Sequence, residues 1–311
     1  MEKKIEKKMK WYKLVFKQNQ PIHIGSTKWG IVNKTEIFIP GWTMWGALTK
    51  TFNQYSKKSK LSENQELFET ITCFYPSFDK EGHNILFPNY KNGLFYLGNH
   101  SEEYSEDKFR YEFTDTFVST AIIPGLRSAK EESLHEIEVL LPQSKKEIKE
   151  ENKKESKKEK KQLYWVGILG IKDDLPDSIK NDLSDFLKKG LNIYIGGDIK
   201  YGFGELELVY DREIESKDND ELKNELKNWN IDEYGCLTLN DNKNIKQFLE
   251  FSPEIKFEGE LKLLAEFDFT KSIPEIKNVS YFVNIGSKIN SEIPNRSYKL
   301  VKGKFKRFVC L

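Results

Sequence analysis

The chain has 311 residues, of which 32% are charged and 13% aromatic, and its formal net charge is +1 at pH 7. This length favours two domains, and the aromatic content is enough to build a sizeable core. The near-neutral charge excludes a globally basic nucleic-acid binder, so any such role needs a local basic patch.

The first part of the chain predicts strands, loops and two helices. Alternating apolar residues predict strands at residues 10–16, 21–24 and 36–39. A loop is expected at 25–30. A helix is predicted from Trp42 to Tyr55, because the apolar residues Trp42, Trp45, Leu48 and Phe52 share one face at helical spacing. A second, short helix is expected at 62–70.

The middle of the chain predicts few helices. Residues 71–118 are rich in Phe, Tyr, Asn, Gly and Pro, which is typical of strands and long loops. Strands at 117–123 and 133–141 flank an irregular loop at 124–132. The stretch 144–162 is almost wholly Lys, Glu, Ser, Asn and Gln. We expect it to be a disordered surface insert, with a charged single helix as the alternative.

A β-α-β order follows the insert. A strand at 164–171 precedes an amphipathic helix at 176–190, which we expect to end with Gly190 as its C-cap. A strand at 191–195 then leads into a glycine-rich loop, after which another strand runs to Tyr210.

This order of elements is α+β and predicts a ferredoxin-like (RRM-like) sheet with helices on one side, over residues 1–210. Residues 211–245 are polar and acidic and predict a linker with helical pieces. Residues 246–311 predict a smaller β-rich unit, whose strands are expected at 258–269 and 280–285.

Cysteine spacing and hydropathy indicate the compartment. Cys73, Cys236 and Cys310 are far apart and form no CxxC pair, so neither a zinc site nor a disulfide scaffold is indicated. No apolar run approaches the roughly 20 residues that a membrane helix needs, and residues 1–10 lack the apolar region of a signal peptide. We expect a soluble, cytoplasmic protein with no membrane partner.

The most distinctive stretch is the glycine loop, residues 196–204, which holds four glycines, one lysine and two aromatic residues. Glycine is favoured where the backbone takes a positive φ or approaches a ligand closely. Free N–H groups, a cation and stacking rings suit a polymer of phosphates and bases. No Gly-Lys-Ser/Thr follows, and a strand rather than a helix comes next, which excludes a P-loop and a dinucleotide fingerprint. A glycine-rich β-hairpin with bulges is the alternative interpretation.

Three blocks of the sequence stand in a recognisable order. Residues 22–25 with 39–48 form the first, 120–138 the second, and 196–208 the third. Together they resemble the RAMP superfamily of CRISPR effector subunits, whose pattern has a "PGSSLKGALR"-like helix entry, an "AIDRxTGxAxxGxLYxxE"-like segment and a "GGxRSRGFGxVEL"-like loop. The chain departs from this pattern at Trp42–Trp45, which replaces small and basic residues, and at Lys200, where arginine is common. The resemblance of residues 211–311 is slight.

The resemblance implies a RAMP fold and a subunit of a type III CRISPR ribonucleoprotein complex in antiviral defence. Its partners would be the guide RNA, other RAMP subunits and the large polymerase-like subunit. The chain is most similar to the cap subunit that holds the 5′ end of the guide RNA and usually does not cut. Many backbone-type subunits, the alternative, cleave target RNA with an Asp in the loop after the first strand, and residues 25–39 hold no Asp.

Several residues are predicted to contact RNA. These are Gly25, Lys28, Trp29, Arg127, Lys130, Gly196, Gly197, Lys200, Tyr201, Gly202 and Gly204. Lys200 would neutralise a phosphate, and Tyr201 or Phe203 would stack on a base, which is typically worth about 1–3 kcal/mol. Packing of Phe203 in the core beneath the loop is the alternative.

His23 is the one candidate for a catalytic base, because some guide-processing members of the superfamily use a histidine. A strand residue with a satisfied ring is the alternative, since no acid–base partner stands near it in sequence. No His, Cys, Asp or Glu spacing indicates a metal, and no cofactor is expected. We predict a non-catalytic RNA-binding subunit. A RAMP endoribonuclease and a structural β-rich interaction protein without RNA are the alternatives.

Overall fold

The computed structural model describes residues 9–56, 64–99, 102–149, 158–214, 219–239, 244–268, 273–294 and 297–308. Its helices are α1 (Gly41–Tyr55), α2 (Glu106–Phe113), α3 (Asp177–Phe186) and α4 (Asn219–Asn228), with a 3₁₀ turn at Ile199–Tyr201. The mixture of helices and strands confirms the coarse fold class that the sequence predicts.

The strands fall into an earlier and a later set. The earlier strands are β1 (Met9–Gln18), β2 (Gly25–Trp29), β3 (Val32–Thr35), β4 (Tyr75–Ser77), β5 (Pro88–Lys91), β6 (Leu94–Asn99), β7 (Glu102–Ser105), β8 (Thr114–Ser119), β9 (Ile122–Ile123), β10 (Ser128–Ala129), β11 (His135–Leu140), β12 (Gln143–Lys149), β13 (Lys158–Gln162), β14 (Tyr164–Lys172), β15 (Asn192–Tyr194) and β16 (Glu205–Glu213). The later strands are β17 (Phe248–Glu250), β18 (Phe257–Glu258), β19 (Leu261–Asp268), β20 (Glu275–Val283), β21 (Lys288–Ile289), β22 (Tyr298–Val301) and β23 (Lys304–Arg307).

A five-stranded sheet in the order β15-β16-β1-β14-β4 forms the centre of the molecule, and all its neighbouring strands are antiparallel. Its inner strands carry apolar side chains on both faces. In β1, Leu14 and Phe16 belong to one core cluster, whereas Trp11 and Val15 belong to the other. Because side chains alternate across a strand, this pattern requires a covering layer on each face.

Helices α1 and α3 cover the first face of the central sheet. Phe52 of α1 and Phe186 of α3 meet edge to face, with ring centroids 5.1 Å apart. Both rings lie in the cluster that holds Leu14 and Phe16 of the sheet. The apolar face predicted for the first helix therefore packs where its periodicity indicates.

The second face of the central sheet is covered by the later part of the chain. A second five-stranded sheet, in the order β19-β20-β17-β23-β22, contributes Phe248 and Val283 to this core. Trp229, which follows α4 directly, is buried in it as well. Residues from the predicted linker thus take part in the second core, while the division into domains stays a prediction.

A third, four-stranded sheet in the order β2-β3-β11-β8 lies beside the central one. Strands β3 and β11 are parallel, and the other neighbours are antiparallel. An isolated bridge between Ile22 and Leu140 ties this sheet to the chain leaving β1.

Three predictions near the beginning of the chain are wrong. Of the expected strand at 21–24, Ile22 alone forms a bridge, to Leu140. The expected loop at 25–30 is strand β2, which pairs with β3 around a turn at Gly30 (φ +60°). Of the expected strand at 36–39, Ile39 alone forms a bridge, to Phe74. The segment resembles a strand because neighbouring side chains pack on opposite sides. Ile37 lies in the first core cluster and Phe38 in the second.

Helix α2 lies within the stretch predicted to lack helices. Ser105 caps it by accepting a hydrogen bond from the backbone N–H of Lys108 at 3.3 Å, and Phe109 and Phe113 are buried on one face. The local sequence does indicate a helix, because a serine cap is followed by acidic residues. The overall composition of the stretch favoured strands and loops instead.

Three further predictions are corrected. The stretch 144–162, expected to be disordered, forms most of the antiparallel strands β12 and β13 at its two ends, while residues 150–157 lie outside the described residues. Helix α3 ends at Phe186 with Leu187 as its C-cap. Gly190 (φ +93°) instead forms the turn into β15. Of the second predicted helix, Asn64 and Gln65 are helical and the rest of its described part is not.

Candidate nucleic-acid interface

The glycine loop is docked on the chain that leaves β1. The N–H of Gly197 donates to the carbonyl of His23, and the N–H of Gly204 to that of Pro21, both at 2.8 Å. Gly196 (φ +77°) has no room for a side chain, because a Cβ would lie 2.2 Å from the His23 oxygen. Close backbone approach, rather than flexibility alone, therefore requires glycine here.

A 3₁₀ turn projects the polar tip of the loop into solvent. Asp198, in the left-handed region at φ +56°, begins the turn and accepts a hydrogen bond from the Tyr201 N–H at 2.8 Å. Lys200 and Gly202 are exposed, and the Tyr201 side chain is 83% exposed. A cation and an unpacked ring thus stand side by side on the surface.

Phe203 has a packing role, in line with the alternative interpretation. Its half-buried ring meets Phe117 of β8 edge to face, with centroids 5.2 Å apart. This contact attaches the glycine loop to the edge of the four-stranded sheet. Tyr201 is left as the ring of this loop that is free to stack on a base.

His23 lies beneath the loop. Its Nδ1 donates to the backbone carbonyl of Glu138 in β11 at 2.7 Å, and its ring edge faces Gly197. In the described part of the chain no carboxylate or second histidine bonds to the ring. The ring is satisfied on one side, as the sequence alternative suggested, and connects the loop to β11.

A partly buried polar network holds Glu138 of β11, the residue that His23 contacts. The Arg110 guanidinium donates to Oε2 of Glu138 at 2.8 Å, and the Thr35 N–H donates to the same oxygen at 3.0 Å. Thr114 donates to Oε1 at 3.2 Å. These hydrogen bonds connect α2, β3 and β11. They hold Glu138, whose backbone carbonyl accepts the hydrogen bond from His23. Arg110 and Glu138 were not identified from the sequence.

The hairpin of β2 and β3 carries a second exposed aromatic residue with cations nearby. Trp29 is 75% exposed, and Nζ of Lys34 lies 5.3 Å from the centroid of its ring. Lys28 and Gly25 are exposed on the same strand. The residues predicted for this segment are therefore on the surface, but on a strand rather than in a loop.

An exposed arm extends from β8 and β11. The two strands pair from Thr114 to Ser119, and the small hairpin β9–β10 continues the arm to its tip. Arg127 (φ +50°) and Lys130 are both exposed there. The arm also exposes apolar residues that the sequence prediction missed, namely Val118, Ile122, Leu126 and Leu134.

The structure brings together some of the predicted residues. The glycine loop contacts His23 directly and the arm through Phe203, and the Trp29 hairpin belongs to the same sheet as the arm. Arg127 and Lys130 lie further along the arm. The described helices include none long and apolar enough to cross a membrane.

The solved structures with chains similar to this one include two of a type III-B complex. One comes from a cryo-EM structure of the type III-B Cmr-beta bound to cognate target RNA, with a TM-score of 0.54 and 14% identity, over 92% of this chain and 86% of that chain. The other comes from Cmr-beta bound to cognate target RNA and AMPPnP, state 1, with a TM-score of 0.51 and 16% identity, over the same shares. At such identity the likeness shows the fold alone. No family model and no curated protein matches the chain.

Proposed function

We propose that this chain is a non-catalytic RNA-binding subunit of a type III CRISPR ribonucleoprotein effector, and that it holds the 5′ repeat-derived end of the guide RNA. The proposal includes a ferredoxin-like RAMP fold. The order β16-β1-β14-β4 supports it, with α1 between β1 and β4 in sequence and α3 between β14 and β16. The likeness to chains of Cmr-beta bound to RNA supports the type of complex.

The observation that carries the proposal is the docked glycine loop with its exposed Lys200 and Tyr201. Its backbone is held in place by His23 and Pro21, so a bound strand would meet a preformed surface. Ammonium groups attract phosphates, and a free ring stacks on any base, which suits single-stranded RNA.

The RNA path is proposed to run along the loop and not across the central sheet. RRM domains stack bases on the sheet face opposite their helices. Here that face is buried, with Val15, Val166 and Ile168 fully covered by the second core. The loop, the Trp29 hairpin and the arm are the exposed parts that combine cations with rings.

The lack of a catalytic role is proposed from the surroundings of His23. Its Nδ1 is engaged by a backbone carbonyl, and within the described residues no acid is hydrogen-bonded to the ring to complete an acid–base pair. Residues 25–39 provide no Asp. Neighbouring RAMP subunits and the polymerase-like subunit are the proposed protein partners.

The test is retention of RNA by the assembled complex. We would purify the tagged protein from its native host and sequence the RNA that accompanies it. Lys200→Ala with Tyr201→Ala should lower RNA retention about tenfold, since a phosphate contact and a stacked ring are lost. The matched control is Lys189→Ala with Tyr281→Ala, because both side chains are exposed and Lys189 lies at the other end of the β15–β16 pair.

Three outcomes would contradict the proposal. Unchanged RNA retention in the loop variant would refute the role of the glycine loop. Bound RNAs without a shared repeat-derived 5′ end would refute the cap position. Cleavage of RNA by the purified protein that is lost in His23→Ala would refute the non-catalytic role.

A further inference from the structure

The His23 ring is held in one orientation and one tautomer. Its Nδ1 lies 2.7 Å from the Glu138 carbonyl oxygen, which accepts but cannot donate, so Nδ1 carries the proton. In the neutral ring Nε2 is therefore an acceptor. The Glu138 side chain is itself fixed by Arg110 and Thr35, which keeps the carbonyl in place.

Nε2 faces a notch walled by glycines. A Cβ on Gly25 would lie 3.9 Å from Nε2, and a Cβ on Gly197 would lie 3.4 Å from Cδ2 of the same ring. Neither residue has a side chain to cover the ring edge, and Gly25 is exposed. Among the described residues, Nε2 has no hydrogen-bond partner.

We propose that Nε2 of His23 accepts a hydrogen bond from a ribose 2′-hydroxyl, so that this notch selects RNA over DNA. The inference rests on the proposed function, because it places the strand along the glycine loop. A phosphate has no proton to donate to a neutral imidazole, whereas the 2′-hydroxyl does, and it is the group that distinguishes RNA from DNA. Lys200 at the tip of the loop takes the phosphate, and the ribose joined to it falls beside the loop.

The test compares oligonucleotides that differ only in the sugar. A short single-stranded RNA, the same sequence as DNA, and the same sequence with 2′-fluoro sugars would be titrated into the full chain by fluorescence anisotropy. The 2′-fluoro sugar cannot donate a hydrogen bond, and it keeps the sugar pucker of RNA. Loss of one neutral hydrogen bond predicts a 2′-fluoro affinity about 2- to 10-fold below that of RNA.

His23→Asn is the matched variant. The asparagine amide can donate to the Glu138 carbonyl from about the position of Nδ1, but nothing replaces Nε2. We expect RNA affinity to fall to the level of the 2′-fluoro oligonucleotide and the RNA-to-fluoro ratio to approach one. Lys200→Ala should weaken the binding of all three oligonucleotides and leave that ratio unchanged, because every one of them carries phosphates.

The possible outcomes distinguish a failure of this inference from a failure of the proposed function. If the wild-type chain binds RNA and the 2′-fluoro oligonucleotide equally, the inference is refuted and the proposed RNA binding stands. The same holds if His23→Asn keeps the wild-type ratio while its thermal unfolding is normal. Failure of the wild-type chain to bind any of the three would overturn the proposed function and the inference together.

Discussion

Lys246 is a buried cation beside Phe87, which packs against the second core. It is 7% exposed, and its Nζ lies 5.3 Å from the ring centroid of Phe87. Within the described residues no ion pair joins it to a carboxylate. Burial alone lowers the pKa of its ammonium group from the ordinary 10.5 to about 8. The folded state therefore bears a desolvation cost at neutral pH that the ring offsets only in part.

Replacing Lys246 with methionine should raise the free energy of unfolding by about 2 kcal/mol near pH 7. The pKa is lowered on folding, so the unfolded chain binds more protons between pH 8 and 10.5 and wild-type stability rises over that window. The advantage of Lys246→Met should accordingly shrink towards pH 10.5. Urea denaturation of both proteins near pH 7 and near pH 10 measures the difference.

The control for this prediction is Lys189→Met, whose side chain is exposed. It should change stability by less than about 0.5 kcal/mol at either pH. A Lys246→Met protein that is less stable than wild type near pH 7 would show that the Phe87 contact outweighs desolvation.

At this same scale, the sequence indicates the loop but neither which of its two rings is exposed nor the supporting network. Strand alternation would place Tyr201 and Phe203 on one face, whereas the 3₁₀ turn at Ile199–Tyr201 leaves Tyr201 exposed and Phe203 partly buried. Arg110 and Glu138 are far apart in sequence, and nothing local indicates that they pair. Only tertiary structure brings α2 beside β11, so the support of His23 could not be identified in advance.

At the scale of elements, the glycine loop contains two glycines that form a matched pair for substitution. Gly202 and Gly204 have similar φ angles, +88° and +86°. A Cβ on Gly202 meets nothing within 4 Å, whereas a Cβ on Gly204 would lie 2.1 Å from the Ile195 carbonyl oxygen. The two positions therefore share the strain of a left-handed residue but differ in steric room.

Gly202→Ala should lower the free energy of unfolding by about 1 kcal/mol, from the left-handed conformation alone. Gly204→Ala should lower it by about 3 kcal/mol, because the loop must also move away from Ile195. Urea denaturation of the two variants gives both values. Equal losses would mean that the loop adjusts freely and is not held in the docked position.

Helices and strands with their own periodicity were predictable, and those made by long-range pairing were not. Helix α1 lies where the helical spacing places it, and strand β14 lies where the continuous apolar run at 164–171 places it. The sequence of strand β2 indicates a loop, because it begins with glycine, serine and threonine. The strand forms because it pairs with β3, which in turn pairs with β11. Such a register is set by the sheet as a whole rather than by local propensity.

At the scale of the whole molecule, the two glycines Gly41 and Gly303 set how the later sheet meets α1. Gly303 (φ +76°) forms the turn between β22 and β23, and a Cβ on Gly41 would lie 2.5 Å from its backbone nitrogen. Beside this contact, Lys302 lies over Trp45 at 3.6 Å from the ring centroid. Residues 299–308 hold four lysines and one arginine. Part of this basic run is thus used within the molecule, in cation–π contacts.

Gly41→Ala should lower the free energy of unfolding by about 2 kcal/mol, because its methyl group meets backbone that has no side chain to rotate away. Gly46→Ala in the same helix is the matched control, since a Cβ there meets nothing within 4 Å. Alanine favours helix over glycine, so this variant should gain about 0.5–1 kcal/mol. Opposite signs of the stability change in urea denaturation would establish that the close approach of α1 to the β22–β23 turn, and not helix propensity, decides the effect at Gly41.

If Gly41→Ala were as stable as wild type, the later sheet would have to shift without any loss of stability. The two cores would then be joined more loosely than Lys302, Trp45 and the paired glycines indicate.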